Sequence, residues 1–194
     1  MVLLTGFNKI RTAVFISGTG SNLKSLIKFS KLKKSPITIN LIISNNSKSK
    51  GLVFGKIFKI KKKIFNYKKK NLDEKKILLE LKKNKIDLIC LAGFMKILSK
   101  NFIKNFKGKI INIHPSLLPK YKGLNTHQRV IDNKEKFSGC TVHFVEPKLD
   151  SGKIILKRIV KINKKDDSKT LAKKILKQEH ILYPEAIKKL VTIL

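Results

Sequence analysis

An asparagine and a histidine stand two residues apart at the end of the apolar run "KIINIH", within the segment "INIHPSLLPKYKGLNTHQ" of residues 111–128. Alternate residues of an extended strand share one face, so Asn112 and His114 are predicted to project side by side before Pro115 ends the strand. An amide and an imidazole placed in this way can both donate hydrogen bonds to a developing negative charge. The alternative is a structural pair at a strand end, and the short motif alone does not decide between them.

A glycine turn is predicted between the first strand and the first helix, in "SGTGSNL" at residues 17–23. A dinucleotide-binding fingerprint would need a third glycine where Leu23 stands, and an acidic residue after the second strand, which ends "IISNN". A pyrophosphate cofactor is therefore disfavoured. The turn still presents the free amides of a helix N-terminus beside Ser21 and Asn22, which suits a single phosphate. An ordinary strand-to-helix turn is the alternative.

Two carboxylates are candidates for a site. Asp150 lies in the predicted loop "EPKLDSGK", where it could instead be a turn residue that bonds to its own backbone. Glu179 falls inside the apolar stripe of the last predicted helix, which consists of Ala172, Ile175, Leu182 and Ala186. A carboxylate on a buried face needs a partner, either a core lysine or a ligand that carries hydroxyls or an amine.

Predicted strands and helices alternate along most of the chain. The sequence predicts strands at 11–17, 37–44, 63–65, 87–92 and 108–113, and helices at 21–33, within 49–61 and at 72–85. The segments "CTVHFV" and "KIILKRIV" are predicted as a two-stranded excursion, before a long helix over about 167–191. This order indicates an α/β fold, a single Rossmann-like domain over 1–194 with a mostly parallel twisted sheet and helices on both faces.

The charge of the chain could suggest a nucleic-acid-binding protein. The 194 residues carry a formal net charge of +33, with a pI near 10.3. Nucleic-acid readers concentrate Arg and aromatic side chains on one face, whereas this sequence has three arginines and spreads its lysines over every segment. We therefore interpret the charge as a compositional bias, predict no specific nucleic-acid partner, and expect only weak, salt-sensitive binding to polyanions.

The sequence also indicates where in the cell the protein is located. No segment is long and apolar enough for a membrane span, and the start "MVLLTGFNKIRT" becomes polar too quickly for a signal peptide. We expect a cytoplasmic protein with no membrane partner. Cys90 and Cys140 lie in predicted strands, which favours a packing role over a disulfide or a metal site.

Five segments occur in an order that resembles the phosphoribosylglycinamide formyltransferases, a family of folate-dependent enzymes of purine biosynthesis. They are "SGTGSNL", "LAGFMKILS", "NIHPSLLPKYKGLNTHQ", "TVHFVEPKLDSG" and "QEHILYP". The resemblance runs from about Thr12 to the C-terminus. It implies transfer of the formyl group of 10-formyltetrahydrofolate, the co-substrate, to the amine of glycinamide ribonucleotide, with no metal and with a monomer or homodimer as the working form.

The resemblance assigns roles to individual residues. It implies that Asn112, His114 and Asp150 are catalytic. It implies that the nucleotide substrate is bound by the glycine turn and by one helix residue, namely Thr19, Gly20, Ser21, Asn22 and Glu179. It implies that the folate contacts Asn112 and a further set, Lys70, Met95, Lys96, Ile97 and Leu98. The phosphate-binding half would then cover about 11–92, and the folate and catalytic half about 93–194.

This sequence departs from the family pattern outside the catalytic residues. The family often has Arg where Lys70 and Lys96 stand, and Gln where this chain has Leu176, so the resemblance places these residues at the site without fixing what their side chains contact. In the implied reaction the amine attacks the formyl carbon on N10, and Asn112 and a protonated His114 donate hydrogen bonds to the resulting oxyanion. Asp150 would orient the imidazole and raise its pKa.

Related enzymes are the main alternatives. Methionyl-tRNA formyltransferases carry an added C-terminal β-barrel domain, and formyltetrahydrofolate hydrolases carry an N-terminal regulatory domain. This sequence predicts neither addition. A lysine-rich nucleic-acid-binding protein is the alternative outside enzymes, and nanomolar RNA binding at physiological salt without formyl transfer would favour it.

Overall fold

The structure is a computed structural model and describes residues 9–193. Within that range the strands are β1 (Ile10–Ile16), β2 (Ile37–Ser44), β3 (Lys61–Ile64), β4 (Leu88–Leu91), β5 (Lys109–His114), β6 (Phe137–Phe144) and β7 (Ile154–Lys161). The helices are α1 (Ser21–Ser30), α2 (Val53–Ile57), α3 (Lys70–Lys83), α4 (Lys100–Asn105), α5 (Thr126–Asp132) and α6 (Ser168–Ile193), with a 3-10 turn at Lys50–Leu52.

The strands form one sheet in the order β3-β2-β1-β4-β5-β6-β7. The pairs from β3 through β5 are parallel, whereas β6 pairs antiparallel with both β5 and β7. The α/β class and the mostly parallel sheet are thereby confirmed. The two strands predicted after β5 are found as β6 and β7, and β6 extends the main sheet through its antiparallel pairing with β5.

Apolar side chains cover both faces of the sheet. One face packs against α1 and α6 through buried residues such as Leu26 and Ile175, and the other packs against α3 and α4 through Ile77 and Phe102. The helices on both faces are therefore confirmed. Cys90 and Cys140 are free thiols inside this packing, as predicted.

The short elements differ most from the sequence prediction. The helix predicted within 49–61 is only the 3-10 turn and α2, and the strand predicted at 63–65 is found at 61–64. The sequence did not predict α4, which begins where Ser99 accepts a hydrogen bond from the amide of Phe102, nor did it predict α5. None of the helices within residues 9–193 is long and apolar enough to cross a membrane.

Candidate active site

A cavity of about 690 Å³ lies at the carboxyl ends of β4 and β5, where parallel α/β sheets usually bind ligands. Most of the predicted site residues line it, namely Thr19, Ser21, Asn22, Met95, Lys96, Ile97, Leu98, Asn112, His114, Asp150 and Glu179. Gly20 and Lys70 are not among the lining residues. The structure therefore brings together residues that are up to 160 positions apart in the sequence.

A second cavity of about 710 Å³ lies at the opposite end of the sheet, beside the amino ends of β1, β4 and β5. It is lined by basic side chains, including Lys9, Arg11, Lys85 and Lys109. None of the candidate catalytic residues lies there. The cavity at the carboxyl ends is therefore the candidate active site.

Asn112 and His114 project from the same face of β5, as the sequence predicted, while Ile111 and Ile113 are buried on the other face. In the antiparallel pairing with β6, His143 stands directly opposite Asn112. The amide nitrogen of Asn112 lies 3.2 Å from Nε2 of His143. Nδ1 of His143 lies 2.7 Å from the carbonyl of Phe144, which can only accept, so its proton is on Nδ1 and Nε2 accepts from Asn112.

Asp150 lies between the two histidines. Its Oδ2 accepts the backbone amide of Gly123 at 2.8 Å and lies 3.5 Å from Nδ1 of His114. Its Oδ1 lies 3.6 Å from Nε2 of His143. The carboxylate is thus shared between a main-chain donor and two imidazole rings, and its side chain is only 7% exposed.

The second ring nitrogen of His114 is also occupied. Nε2 lies 2.8 Å from the carbonyl of Tyr121, so Nε2 carries a proton and donates it to that oxygen. Nδ1 is then the nitrogen that gains or loses a proton, and it is the one that faces Asp150. His114 therefore presents no unengaged N–H group to the cavity in this arrangement.

Burial decides the charge of His114. It lowers the pKa of the imidazole, and the Tyr121 carbonyl and the Asp150 carboxylate offset this only in part. The Asp150 carboxylate thus raises the pKa of His114, the direction that the sequence predicted, but loss of hydration outweighs this attraction and the net shift is downward. Burial would raise the pKa of Asp150 too, but the hydrogen bond from the Gly123 amide and the two neighbouring imidazoles hold it below its usual value.

The glycine turn leads into α1 with Gly20 at φ 73°, and no side chain caps the helix. A Cβ at Gly20 would lie 2.7 Å from the Cα of Gly51, so only glycine fits this close approach. The first amides of α1 are thus left without a side-chain acceptor, beside Ser21 and Asn22 at the cavity. This geometry can hold an anion.

Glu179 has the partner that its buried position requires. Its Oε2 accepts a 2.7 Å hydrogen bond from the amide of Asn22, which joins α6 to α1. Glu179 is 7% exposed, and burial raises its pKa to about 7, against the lowering effect of Asn22. The amide oxygen of Asn22 is buried without a hydrogen-bond partner among the described residues.

The opposite wall is the loop of residues 93–98. Met95 and Ile97 are 64% and 59% exposed along it, whereas Leu98 is buried. Lys96 is exposed and lines the cavity, but Lys70 is the first residue of α3 and lies outside the lining. The loop can therefore offer an apolar surface to a flat ring system.

Sequence reasoning missed His143 and Gly123 as parts of this site. "TVHFV" signals a half-buried strand, but the identity of the strand opposite His143 is not encoded locally. Gly123 acts through its amide, which any residue except proline has. Within residues 9–193, no group of three or more His, Cys, Asp or Glu side chains could hold a metal ion.

Comparison with known proteins identifies the family of the chain. The chain matches the formyl transferase family over residues 10–187. It is 41% identical over 181 residues to the phosphoribosylglycinamide formyltransferase of Haemophilus influenzae, which covers 92% of this chain and 85% of that protein. It is 39% identical over 183 residues to the trifunctional purine biosynthetic protein adenosine-3 of Gallus gallus, covering 93% of this chain but only 18% of the longer one.

Solved structures give the same result. The crystal structure of phosphoribosylglycinamide formyltransferase from Anaplasma phagocytophilum matches with a TM-score of 0.88 and 41% identity, over 93% of this chain and 86% of the other. The chain spans less than a fifth of the trifunctional relatives but most of the single-function ones. On sequence and fold together, this chain belongs to the formyl transferase family.

Proposed function

We propose that the protein transfers the formyl group of 10-formyltetrahydrofolate to the amine of 5'-phosphoribosylglycinamide, giving formylglycinamide ribonucleotide for purine biosynthesis. One observation carries the proposal. Asn112, His114 and Asp150 meet in a cavity that has an uncapped helix N-terminus at one side and an apolar loop at the other. Relatives of similar length are named for this activity.

The two substrates would occupy different parts of the cavity. The phosphate would bind the amides after Gly20 together with Thr19, Ser21 and Asn22, and Glu179 would bind the ribose or the glycinamide end. The folate ring would lie on Met95, Lys96, Ile97 and Leu98, next to Asn112. The chain would thus divide into a phosphate-binding half, about 11–92, and a folate and catalytic half, about 93–194, with Glu179 reaching across.

Asn112 is suited to stabilise the oxyanion. Attack by the substrate amine on the formyl carbon leaves negative charge on the formyl oxygen. One N–H of the Asn112 amide donates to His143, which fixes the plane of the amide. The other N–H is available to the oxygen, because a primary amide has two donors. Asn112 is therefore assigned as the oxyanion donor, and His143 as the residue that orients it.

His114 and Asp150 are assigned to the proton. In the free protein the lowered pKa of His114 favours the neutral ring, whose unprotonated Nδ1 faces Asp150. The attacking amine must lose a proton, and Nδ1 can accept it. The resulting imidazolium would lie beside a carboxylate, which stabilises it. The proton passes from the imidazolium to N10 of the folate, directly or through water, as the carbon–nitrogen bond breaks, and tetrahydrofolate leaves.

The remaining sequence predictions form part of the proposal. The reaction uses two small-molecule substrates and needs neither a metal ion nor a nucleic acid. Cytoplasmic location and a monomer or homodimer as the working form stay predictions from the sequence.

A competition assay tests the function. Purified protein is given 10-formyltetrahydrofolate with glycinamide ribonucleotide, initiator methionyl-tRNA or water as acceptor, and each formylated product is quantified. We expect transfer to glycinamide ribonucleotide at a kcat/KM far above that for the other acceptors. Preferred transfer to methionyl-tRNA or to water would replace this proposal with the corresponding related enzyme.

A further inference from the structure

The folate-side loop, residues 93–98, keeps two large apolar side chains in solvent. Met95 and Ile97 are more than half exposed, although burial elsewhere would be favourable for both. A loop held only by its own backbone would be free to fold such side chains away. Its shape must therefore be fixed by contacts outside the cavity.

Ser17, at the end of β1, holds the first part of the loop. Its hydroxyl accepts the amide of Met95 at 2.7 Å, and its own amide donates to the carbonyl of Gly93 at 3.1 Å. The single hydroxyl proton is donated to Oδ1 of Asn45, so the oxygen is oriented to accept from Met95. Ser17 is not among the residues that line the cavity.

Glu74, on α3, holds the other end. Its carboxylate is buried at 4% exposure and accepts both the amide of Ser99, at 3.0 Å, and the hydroxyl of Ser99. The same hydroxyl oxygen accepts the amide of Phe102 at 3.0 Å and so caps α4. Glu74 also lies outside the cavity lining. The residue that follows the loop is thereby fixed to two helices.

An aromatic contact holds the middle of the loop. The ring of Phe94 packs edge-to-face on Phe15, with centroids 5.3 Å apart, and on Tyr67, at 5.7 Å. With its ends and its centre attached to the sheet and to α3, the loop can present Met95 and Ile97 only towards the cavity.

We propose that Ser17 and Glu74 are positioning residues for the folate, which they serve by holding the folate-side loop in its binding shape. This inference rests on the proposed function. Preorganisation of this kind increases affinity because the loop is not ordered at the moment of binding. The two residues act on one substrate through backbone that they hold, without touching it.

Loss of either positioning residue should weaken folate binding and leave binding of the nucleotide substrate unchanged. The phosphate turn has its own support, since the carbonyl of Gly18 accepts the hydroxyl of Ser49 at 2.6 Å and the amide of Gly51 at 3.0 Å. Removal of the Ser17 hydroxyl leaves those bonds in place. The amide of Met95, in contrast, has Ser17 as its hydrogen-bond partner in the structure.

The test compares Ser17→Ala, Ser17→Thr and Glu74→Gln with two matched controls. Ser30→Ala removes a hydroxyl that bonds within α1, and Glu80→Gln neutralises a carboxylate of α3 that pairs with Lys61. Calorimetry with 5-formyltetrahydrofolate gives the folate Kd, steady-state kinetics give kcat and both KM values, and thermal unfolding monitors the fold.

For Ser17→Ala and Glu74→Gln we expect the folate Kd and KM to rise about threefold to tenfold, the effect of one lost hydrogen bond. The KM for glycinamide ribonucleotide and kcat should stay within about twofold, and Ser17→Thr, which keeps the hydroxyl, should restore folate binding. The controls should match the wild type. Normal folate affinity in both variants, or equal rises in KM for both substrates, would overturn this inference but leave the proposed function standing. A wild-type protein that binds no reduced folate would overturn the proposed function as well.

Discussion

Replacement of Asp150 by Asn removes the negative charge between His114 and His143 without changing the size of the side chain. Nδ1 of His114 is 3.5 Å from one carboxylate oxygen, and Nε2 of His143 is 3.6 Å from the other. The amide oxygen of the variant can still accept from the backbone of Gly123, so the loop should keep its conformation. The substitution therefore tests charge rather than shape.

The distances set the magnitude of the effect. Two unit charges about 4 Å apart attract by about 4 kcal/mol at an effective dielectric constant near 20. In the proposed mechanism the imidazolium of His114 forms only as the amine loses its proton, so this attraction stabilises the transition state more than the bound substrates. About 4 kcal/mol corresponds to roughly three orders of magnitude in rate. We expect kcat for Asp150→Asn to fall by roughly two to four orders of magnitude, with little change in either KM.

The pH profile supplies a second measurement. His114 must be neutral to accept a proton, so kcat/KM should be maximal above its pKa and fall as the pH decreases through it. Burial lowers this pKa, and the Asp150 carboxylate opposes that effect. Without the carboxylate the pKa falls further, so the acid limb of the Asp150→Asn profile should move to lower pH. Asp132→Asn, the same change at an exposed position of α5, is the control.

A double-mutant cycle identifies the result that would refute this reasoning. If Asp150 acts through His114, the double variant should lower kcat by far less than the product of the reductions seen in Asp150→Asn and His114→Ala. Fully multiplicative losses, or an acid limb that stays in place, would show that Asp150 does not act on the ring. Near-normal turnover of either variant would leave Asn112 and His114 as a structural pair.

Three further predictions concern other parts of the molecule. Burial raises the pKa of Glu179 from 4.5 to about 7, so between these pH values the folded state keeps a proton that the unfolded state releases, and the free energy of unfolding falls as the pH rises. In urea unfolding at pH 5 and pH 8, the Glu179→Gln variant should lose less stability with rising pH than the wild type, by up to about 3 kcal/mol. Gly20→Ala should lower the free energy of unfolding by about 1–2 kcal/mol, because the new Cβ would meet Gly51 and the backbone has a φ of +73°. The same variant should raise the KM for glycinamide ribonucleotide more than the KM for the folate. The control Gly18→Ala, where a Cβ has open space, should unfold like the wild type. RNA binding, measured by filter retention, should be weak and should decrease steeply with salt, in keeping with the net charge of +33, and nanomolar affinity at physiological salt would contradict this.

Local patterns in the sequence were sufficient to predict an element when the residues of that element alone determine it. The strand at β5 follows from its apolar alternation and from Pro115, and α3 follows from Asp73 in its first turn and lysines in its last. Elements shorter than two helical turns, such as α4 and α5, have too few residues for a periodic pattern. Their boundaries depend on capping contacts and on packing with distant segments.

In the candidate site, too, features that depend on one element could be predicted, and features that depend on the whole fold could not. The common face of Asn112 and His114 could be predicted because it depends only on the geometry of one strand. The charge of His114 could not, because it is the difference between burial and two opposing partners, and the extent of burial depends on the whole fold. The sequence prediction considered the carboxylate alone, whose effect has the predicted direction, and did not include the larger effect of burial.

The antiparallel strand β6 explains how the site is assembled. Parallel strands bring their carboxyl ends to one edge, but they do not place a second polar side chain opposite Asn112. Because β6 runs the other way, His143 faces Asn112 across the pair, and the loop after β6 carries Asp150 back over the same face to both histidines. A slip of one residue in this pairing would turn His143 to the opposite face and leave Asn112 without its acceptor. The register between β5 and β6 therefore determines the orientation of the proposed oxyanion donor.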